Sequence, residues 1–144
     1  MKRYLLPLAV LSIVFIISHS FYSTVPELEA NKTILIGGSP KERLVLGQSV
    51  HIPLRLTNPN DIAIYVTAIQ VTSHGGSAVC PAQKNTDVIQ TTIKEPIYIA
   101  AHHTVTLPAE GVAAPTLQFR DLPTNQNGCI GVAFTLTSTA IITG

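Results

Sequence analysis

The sequence predicts an all-β fold: an antiparallel β-sandwich of immunoglobulin-like type with roughly seven to nine strands, preceded by an N-terminal hydrophobic helix. Three observations support this fold class. Short runs alternate between apolar and polar residues, turn-forming residues separate these runs at regular intervals, and no segment after the first hydrophobic stretch has the period of an amphipathic helix. A small open or closed β-barrel is the alternative that the same pattern allows.

The composition indicates an exported protein without a nucleic-acid partner. The 144 residues suit one domain, and charged residues make up only 12% of the chain. Without Lys2 and Arg3, the nine basic residues fall to seven, against eight acidic ones. A net charge near zero, with no basic run, argues against nucleic acid or an anionic membrane surface as partner. We therefore expect contact with a membrane only through the N-terminal segment.

Residues 1–20 are predicted to be a signal peptide or an N-terminal membrane anchor. The apolar stretch at residues 5–18 follows a basic start and has the length of a signal-peptide hydrophobic region, with cleavage possible after Ser20. Residues 4–22 approach the length of a membrane span, so both alternatives stay open. Either one places the remainder outside the cytoplasm, secreted or anchored to the outer face of the membrane. That remainder divides into a tether, 21–33, and a β-sandwich domain, 34–144.

The first strands are predicted from apolar runs bounded by turn signals. Residues 34–36 form a first or edge strand. Residues 50–56 alternate, with Val50, Ile52, Leu54 and Leu56 on one face. Pro53 predicts an edge position or a bulge in this strand, because proline donates no ladder hydrogen bond. The turn signal at residues 58–61 ends it.

The long strand predicted at residues 62–72 changes parity on the way. The apolar positions slip by one residue near 67–68, which predicts a bulge. A loop is expected at 73–87 and another at 108–115. Shorter strands are predicted between and after these loops, at 88–93, 97–99, 103–107 and 116–119.

The last predicted strand runs from Cys129 to the end of the chain and is expected to hold the domain together. Four apolar residues share one parity: Ile130, Val132, Phe134 and Leu136. Threonines fall on the other parity, so we expect one buried and one wet face, with Phe134 as a core aromatic residue. Cys80 and Cys129 are the chain's only cysteines, and an even count in an exported chain predicts that they form a disulfide. Two unpaired thiols are the alternative.

Several short motifs together resemble a loosely defined family of small exported proteins common in Gram-positive actinobacteria. The motifs are Leu46-Gly47, Asn58-Pro59-Asn60, Leu107-Pro108 and Asn127-Gly128-Cys129-x-Gly131-x-x-Phe134. Members have an N-terminal hydrophobic segment, one β-sandwich domain and two cysteines. The resemblance implies a fold and a location outside the cytoplasm, and it implies no activity.

We expect no catalytic site, no metal site and no cofactor among the titratable side chains. The sequence has no Gly-x-Ser-x-Gly elbow, and its carboxylates are scattered near turns. His51, His74 and one of the adjacent pair His102 and His103 are a conceivable metal site. We expect exposed histidines instead, because adjacent side chains on a strand point to opposite faces.

These observations favour a non-enzymatic extracytoplasmic module with a structural or adhesive role, monomeric and bound to an unknown protein or cell-surface partner. The first alternative is a module that binds a sugar or wall polymer through loops 73–87 and 108–115 at one end of the sandwich. The chain has no Trp, and Tyr65 and Tyr98 fall inside predicted strands, so the sequence gives a stacking platform poor support. The second alternative is a fibre, in which strand 34–36 adds to the edge of a neighbouring copy.

Overall fold

Nine strands form three antiparallel sheets in residues 32–109 and 111–144, the part of the chain that this computed structural model describes. The strands are β1 (Leu35–Gly37), β2 (Ser49–His51), β3 (Leu54–Thr57), β4 (Ile64–Gly75), β5 (Thr86–Ile89), β6 (Ile97–Ile99), β7 (Thr104–Leu107), β8 (Thr116–Phe119) and β9 (Phe134–Thr143). One short helix, α1 (Ala82–Asn85), and a 3₁₀ turn (Asn127–Cys129) complete the elements. The predicted all-β class is confirmed.

Each sheet has three strands, and residues from Thr33 onward share one compact unit. Sheet I has the order β1-β3-β7, sheet II β2-β8-β5 and sheet III β6-β4-β9. The predicted leader, residues 1–20, and nearly all of the predicted tether lie outside the described residues. No helix in the described part of the chain is long and apolar enough to cross a membrane.

Pro53 divides the strand predicted at 50–56 into β2 and β3, which lie in different sheets. Val50 pairs with β8, whereas Leu54 pairs with β7. Between the two strands, the N–H of Ile52 donates to the carbonyl oxygen of Pro115 (2.8 Å). This backbone group therefore has a hydrogen-bond partner at the point where the chain passes from one sheet to the other. The predicted buried face is nevertheless confirmed, because the alternation survives the change of partner: Val50, Ile52, Leu54 and Leu56 are all buried.

The long strand β4 contains the predicted bulge, and sheet III is built around it. Its register with β9 shifts between Val66 and Ala68, where the sequence parity slips. The inward side chains of β4 and β6 join those of β2, β3 and β7 in the main core. That core consists of Val50, Ile52, Leu54, Leu56, Ile64, Val66, Ile69, Val71, Ile99, Leu107, Ala114 and Leu117.

Side chains, rather than a continuous ladder, connect sheets II and III along the free part of β4. The side-chain amide of Gln90 accepts from the backbone N–H of Val71 (2.8 Å) and donates to its carbonyl oxygen (2.7 Å), as a neighbouring strand would. The hydroxyl of buried Thr86 donates to that of Ser73 (2.9 Å). The strand predicted at 88–93 is therefore shorter and earlier, and Gln90 follows its end.

The last strand begins later than predicted and forms an edge. β9 starts at Phe134, after the 3₁₀ turn that contains Cys129, and it pairs with β4 alone. The predicted parity is confirmed within β9: even-numbered side chains are half-buried and odd-numbered ones are exposed. Ile130 precedes the strand and is 82% exposed, so its predicted inward position is wrong. An edge strand buries less than a central one, and Phe134 is accordingly half-buried.

The turn before β4 is held by a fully buried amide. The N–H groups of Asn58 donate to the carbonyl oxygens of Ile62 (2.8 Å), Ile99 (3.1 Å) and Ala100 (3.0 Å). Its side-chain oxygen accepts from the backbone N–H of Asn60 (2.9 Å). Asn60 in turn exchanges two hydrogen bonds with the backbone of Thr33, which fixes the start of β1. β1 then pairs with β3 of the same chain.

Candidate binding cleft

The predicted disulfide is present and lies at the end of β4 farthest from Asn58. Cys80 and Cys129 are bonded, with Cα atoms 5.1 Å apart, and both residues are buried. Gly76 brings the chain back toward this bond: it has a positive φ of 89°, and a Cβ there would overlap the carbonyl oxygen of Cys80. A bridge between Gly76 and Pro81 closes the turn.

The segment after β8 is fixed by a network of amide hydrogen bonds around α1. The side chain of Gln126 donates to the side-chain oxygen of Asn85 (3.0 Å) and to the carbonyl oxygen of Arg120 (3.0 Å). It also accepts from the backbone N–H of Leu122 (2.9 Å). Asn85 is buried, and its side chain donates to the carbonyl oxygen of Pro81 (2.9 Å). The loop at 120–126 thus has a defined conformation next to the disulfide, which the sequence did not indicate.

A second segment, residues 43–46, lies beside this loop because the β2–β8 pairing continues past both strands. The N–H of Gly47 donates to the carbonyl oxygen of Phe119 (2.9 Å), and the N–H of Phe119 donates to that of Gln48 (3.0 Å). Leu44 consequently packs against the main core and also against a second, smaller apolar cluster. The cluster consists of Cys80, Phe119, Cys129, Leu44, Val132 and Phe134.

These two segments enclose an open cleft of about 840 Å³. Its floor is apolar: Phe119 and Phe134 meet edge to face there, with ring centroids 6.2 Å apart, next to the disulfide. Its rim carries exposed apolar side chains, of which Ile130 is the most exposed and Val45 is 50% exposed. Arg43 and Asp121 are the charged side chains that line it. We call this site the disulfide cleft.

The lining of the disulfide cleft is suited to binding. Its cysteines are joined to each other, and no histidine lines it. Its polar groups are amides, a threonine and the two charges on the rim, and the amide of Gln126 is already satisfied within the protein. Pockets of this size with mostly apolar linings and few polar groups are typical of ligand sites.

One ion pair lies on the surface between β5 and the end of β8. The guanidinium of Arg120 donates two hydrogen bonds to the carboxylate of Asp87. Hydrogen bonding to Arg120 holds the pKa of Asp87 below its ordinary value, with the charge of Arg120 acting in the same direction and slight burial opposing it. The pKa of Arg120 is raised, mainly by its hydrogen bond to Asp87.

The described histidines lie on two different strands and in the turn before β7, and each has its own neighbour. His51 is within hydrogen-bonding distance of Thr116 (3.4 Å) and His74 of Thr72 (3.1 Å). His102 contacts the carboxylate of Asp61 (2.9 Å), and His103 contacts the carbonyl oxygen of Ala101 (2.7 Å). The described residues contain no group of three or more side chains that could hold a metal ion.

The expectation that His102 and His103 point to opposite faces of a strand is wrong. His102 and His103 occupy the turn before β7 rather than a strand, and His102 has a positive φ of 57°. A turn residue in this conformation, rather than strand alternation, sets their directions.

The two loops predicted to bind a ligand together lie at opposite ends of β8. Loop 73–87 contains the end of β4, α1 and the start of β5, and it leads to the pair Thr86 and Phe119. Loop 108–115 leads instead to the start of β8, opposite Ile89. Loop 73–87 leads into β5, and loop 108–115 leads into β8. Because β5 and β8 are antiparallel, their first residues lie at opposite ends of the pair, and so do the two loops. Loop 108–115 borders a shallow hollow of about 410 Å³.

Tyr65 and Tyr98 are exposed, although they lie on strands as predicted. They face each other across β4 and β6, are 42% and 55% exposed, and have ring centroids 5.4 Å apart. Position on a strand hides a side chain only on its inner face, and both tyrosines are on the outer face. Their place on strands therefore does not exclude Tyr65 and Tyr98 as a stacking platform, contrary to the expectation from the sequence.

Comparison of the chain with protein-family models, with curated proteins and with solved structures finds no match.

Proposed function

We propose that the chain is a non-enzymatic extracytoplasmic interaction module that binds an apolar segment of a protein partner in the disulfide cleft. The observation that carries this proposal is the apolar floor, which stays open to solvent between two segments of defined conformation. Exposed apolar side chains grouped around a cavity are typical of interaction surfaces, whereas scattered ones are not. Ile130 is the rim residue that a partner would cover first.

The proposed location rests on the disulfide and on the N-terminal sequence. A Cys80–Cys129 bond fits an oxidising compartment, since thiols stay reduced in most cytosolic proteins. The apolar stretch at residues 5–18 supplies a signal or an anchor, and the resemblance to small exported proteins of actinobacteria agrees with it. We infer secretion, or attachment to the outer face of the membrane by that segment.

We further infer a sandwich of the immunoglobulin-like type, with a small open or closed barrel as the alternative. Sheets I and III supply apolar side chains to one core, as the two layers of a sandwich do. We also infer a monomer. The pairing of β1 with β3 occupies that sheet edge within the chain, and a fibre made by strand addition would have to break it.

A neutral environment-sensitive dye tests the cleft. Nile red is titrated into the oxidised full chain, and peptides selected from a displayed random library are then used to displace it. We expect saturable binding and displacement by peptides with large apolar side chains, because the floor is apolar. Ile130→Asp should weaken both, since it places a carboxylate on the rim.

Ile89→Asp is the matched control. Ile89 is an exposed apolar residue of β5 that does not line the cleft, and the same change there should leave dye and peptide binding intact. Equal loss in the two variants, or no saturable dye binding in the oxidised protein, would contradict the proposal. Thermal unfolding of both variants checks that neither effect comes from unfolding.

A further inference from the structure

The outer face of sheet III carries no charged side chain and many hydroxyl groups. Its three strands contain no Asp, Glu, Lys or Arg. The outward residues are Tyr98 on β6, Tyr65, Gln70, Thr72 and His74 on β4, and Thr135, Thr137, Thr139, Ile141 and Thr143 on β9. Apart from Ile141, the outward side chains carry hydrogen-bonding groups, and none is an Asp, Glu, Lys or Arg that would attract an ionic partner.

The tyrosine pair gives one end of this face an aromatic platform. Tyr65 and Tyr98 are direct cross-strand partners, and Thr143 of β9 lies on the other side of Tyr65. Both rings keep substantial exposure. A tyrosine ring offers an apolar face and a polar tip, and here both lie among hydroxyl side chains.

We propose that Tyr65 and Tyr98 form a binding site for a neutral polysaccharide. A sugar ring has an apolar C–H face, which packs on an aromatic ring, and a hydroxyl edge, which pairs with threonine and amide groups. The absence of charge gives no attraction to polymers bearing carboxylate or phosphate groups. Tyrosine is also enriched at the centres of protein interfaces, but the threonines that make up most of this face are under-represented there, which favours the polysaccharide over a protein partner.

The geometry of the rings also selects the form of the polymer. Their planes are inclined by 57°. Two rings so inclined cannot both lie against one flat crystal surface, whereas successive sugars of a single twisted chain can each stack on one ring. The site therefore favours soluble or swollen chains over crystalline ones.

This site is separate from the disulfide cleft. Tyr65 is near the start of β4, and Phe134 of the cleft is paired with Gly75 at its other end, which places them roughly 30 Å apart along the strand. The two proposals therefore fail or succeed independently.

Affinity electrophoresis with the folded, oxidised full chain tests the proposal. Native gels contain hydroxyethylcellulose, galactomannan or soluble starch, with polygalacturonate as an anionic comparison. We expect retardation by at least one neutral polymer and none by polygalacturonate. Tyr98→Leu should weaken binding about fivefold or more, because it removes the ring but keeps an apolar side chain, whereas Tyr98→Phe should keep it.

The cleft variant Ile130→Asp serves as the control and should be retarded like the wild type. No retardation by any neutral polymer, or equal retardation of Tyr98→Leu and wild type, overturns the proposal. If crystalline cellulose retains the protein more tightly than swollen cellulose does, the inference that the inclined rings favour single chains is wrong. A dimer in light scattering that Tyr98→Leu abolishes, without polymer binding, shows instead that a second copy occupies this face.

Discussion

The two ends of β4 are closed by different chemistry, and the disulfide cleft lies at the end that is closed by the covalent bond. Before β4, the buried side-chain amide of Asn58 forms hydrogen bonds to the backbone of residues 60–62 and of residues 99–100. Both of its polar atoms have partners. After β4, the Cys80–Cys129 bond ties the loops together. A buried amide stabilises only when its hydrogen-bond partners are close, and the partners of Asn58 lie within 3.1 Å. A disulfide fixes two points and leaves the space beside it open.

The largest expected effect follows from removing the covalent closure. The double variant Cys80→Ala, Cys129→Ala should lose about 4 kcal/mol of unfolding free energy, the chain-entropy value for a bond joining residues 49 positions apart. Denaturant unfolding measures it, and reduction of the wild type should give a similar shift. A loss below about 1 kcal/mol would mean that the amide network around Gln126 closes this end unaided.

The hydrogen-bonded closure is broken by Asn58→Ala. We expect a loss of about 3 kcal/mol, because carbonyl oxygens of Ile62, Ile99 and Ala100 lose their donor inside the protein. Asn60→Ala is the matched control in the same turn, and it should cost about 1 kcal/mol since Asn60 is only partly buried. Similar losses in the two variants would show that burial of Asn58 is not what makes this end stable.

The apolar cluster under the cleft is tested by Phe134→Ala. We expect a loss of about 2 kcal/mol, below that of a fully buried phenylalanine, because Phe134 is half-buried on an edge strand. Thr135→Ala, the neighbour with an exposed side chain, should change stability by less than about 0.5 kcal/mol. The same two variants also separate packing from binding, since only Phe134 lines the cleft. Equal effects would mean that the parity of β9 is misassigned.

The smallest effect concerns the exposed pair of Asp87 and Arg120. Because the pKa of Asp87 is lowered in the folded protein, its contribution is fully present above the unfolded pKa of about 4 and disappears as the pH falls through the lowered value. Wild type should therefore exceed Asp87→Asn slightly in thermal midpoint at pH 6, and the two should converge at low pH. A difference that grows on acidification would contradict this sign.

Local pattern in the sequence was enough to predict the faces of the strands. The alternation of residues 50–56 and of β9, and the bulge in β4, all follow from a two-residue period that each strand carries by itself. The cysteine pairing was equally accessible, because two cysteines allow only one intramolecular bond. These features require no knowledge of which strands are neighbours.

Only the tertiary structure decided which strands are neighbours, and the candidate sites depend on that. Pro53 sends β2 and β3 to different sheets, and Gln90 replaces a strand beside Val71; both depend on partners far away in the chain. The disulfide cleft is likewise made by residues 43–46 and the segment after β8. A period of two tells which side chains share a face, but the exposure of that face is set by what packs on it. For this reason Tyr65 and Tyr98 could be placed on strands from the sequence, and their exposed pairing could not.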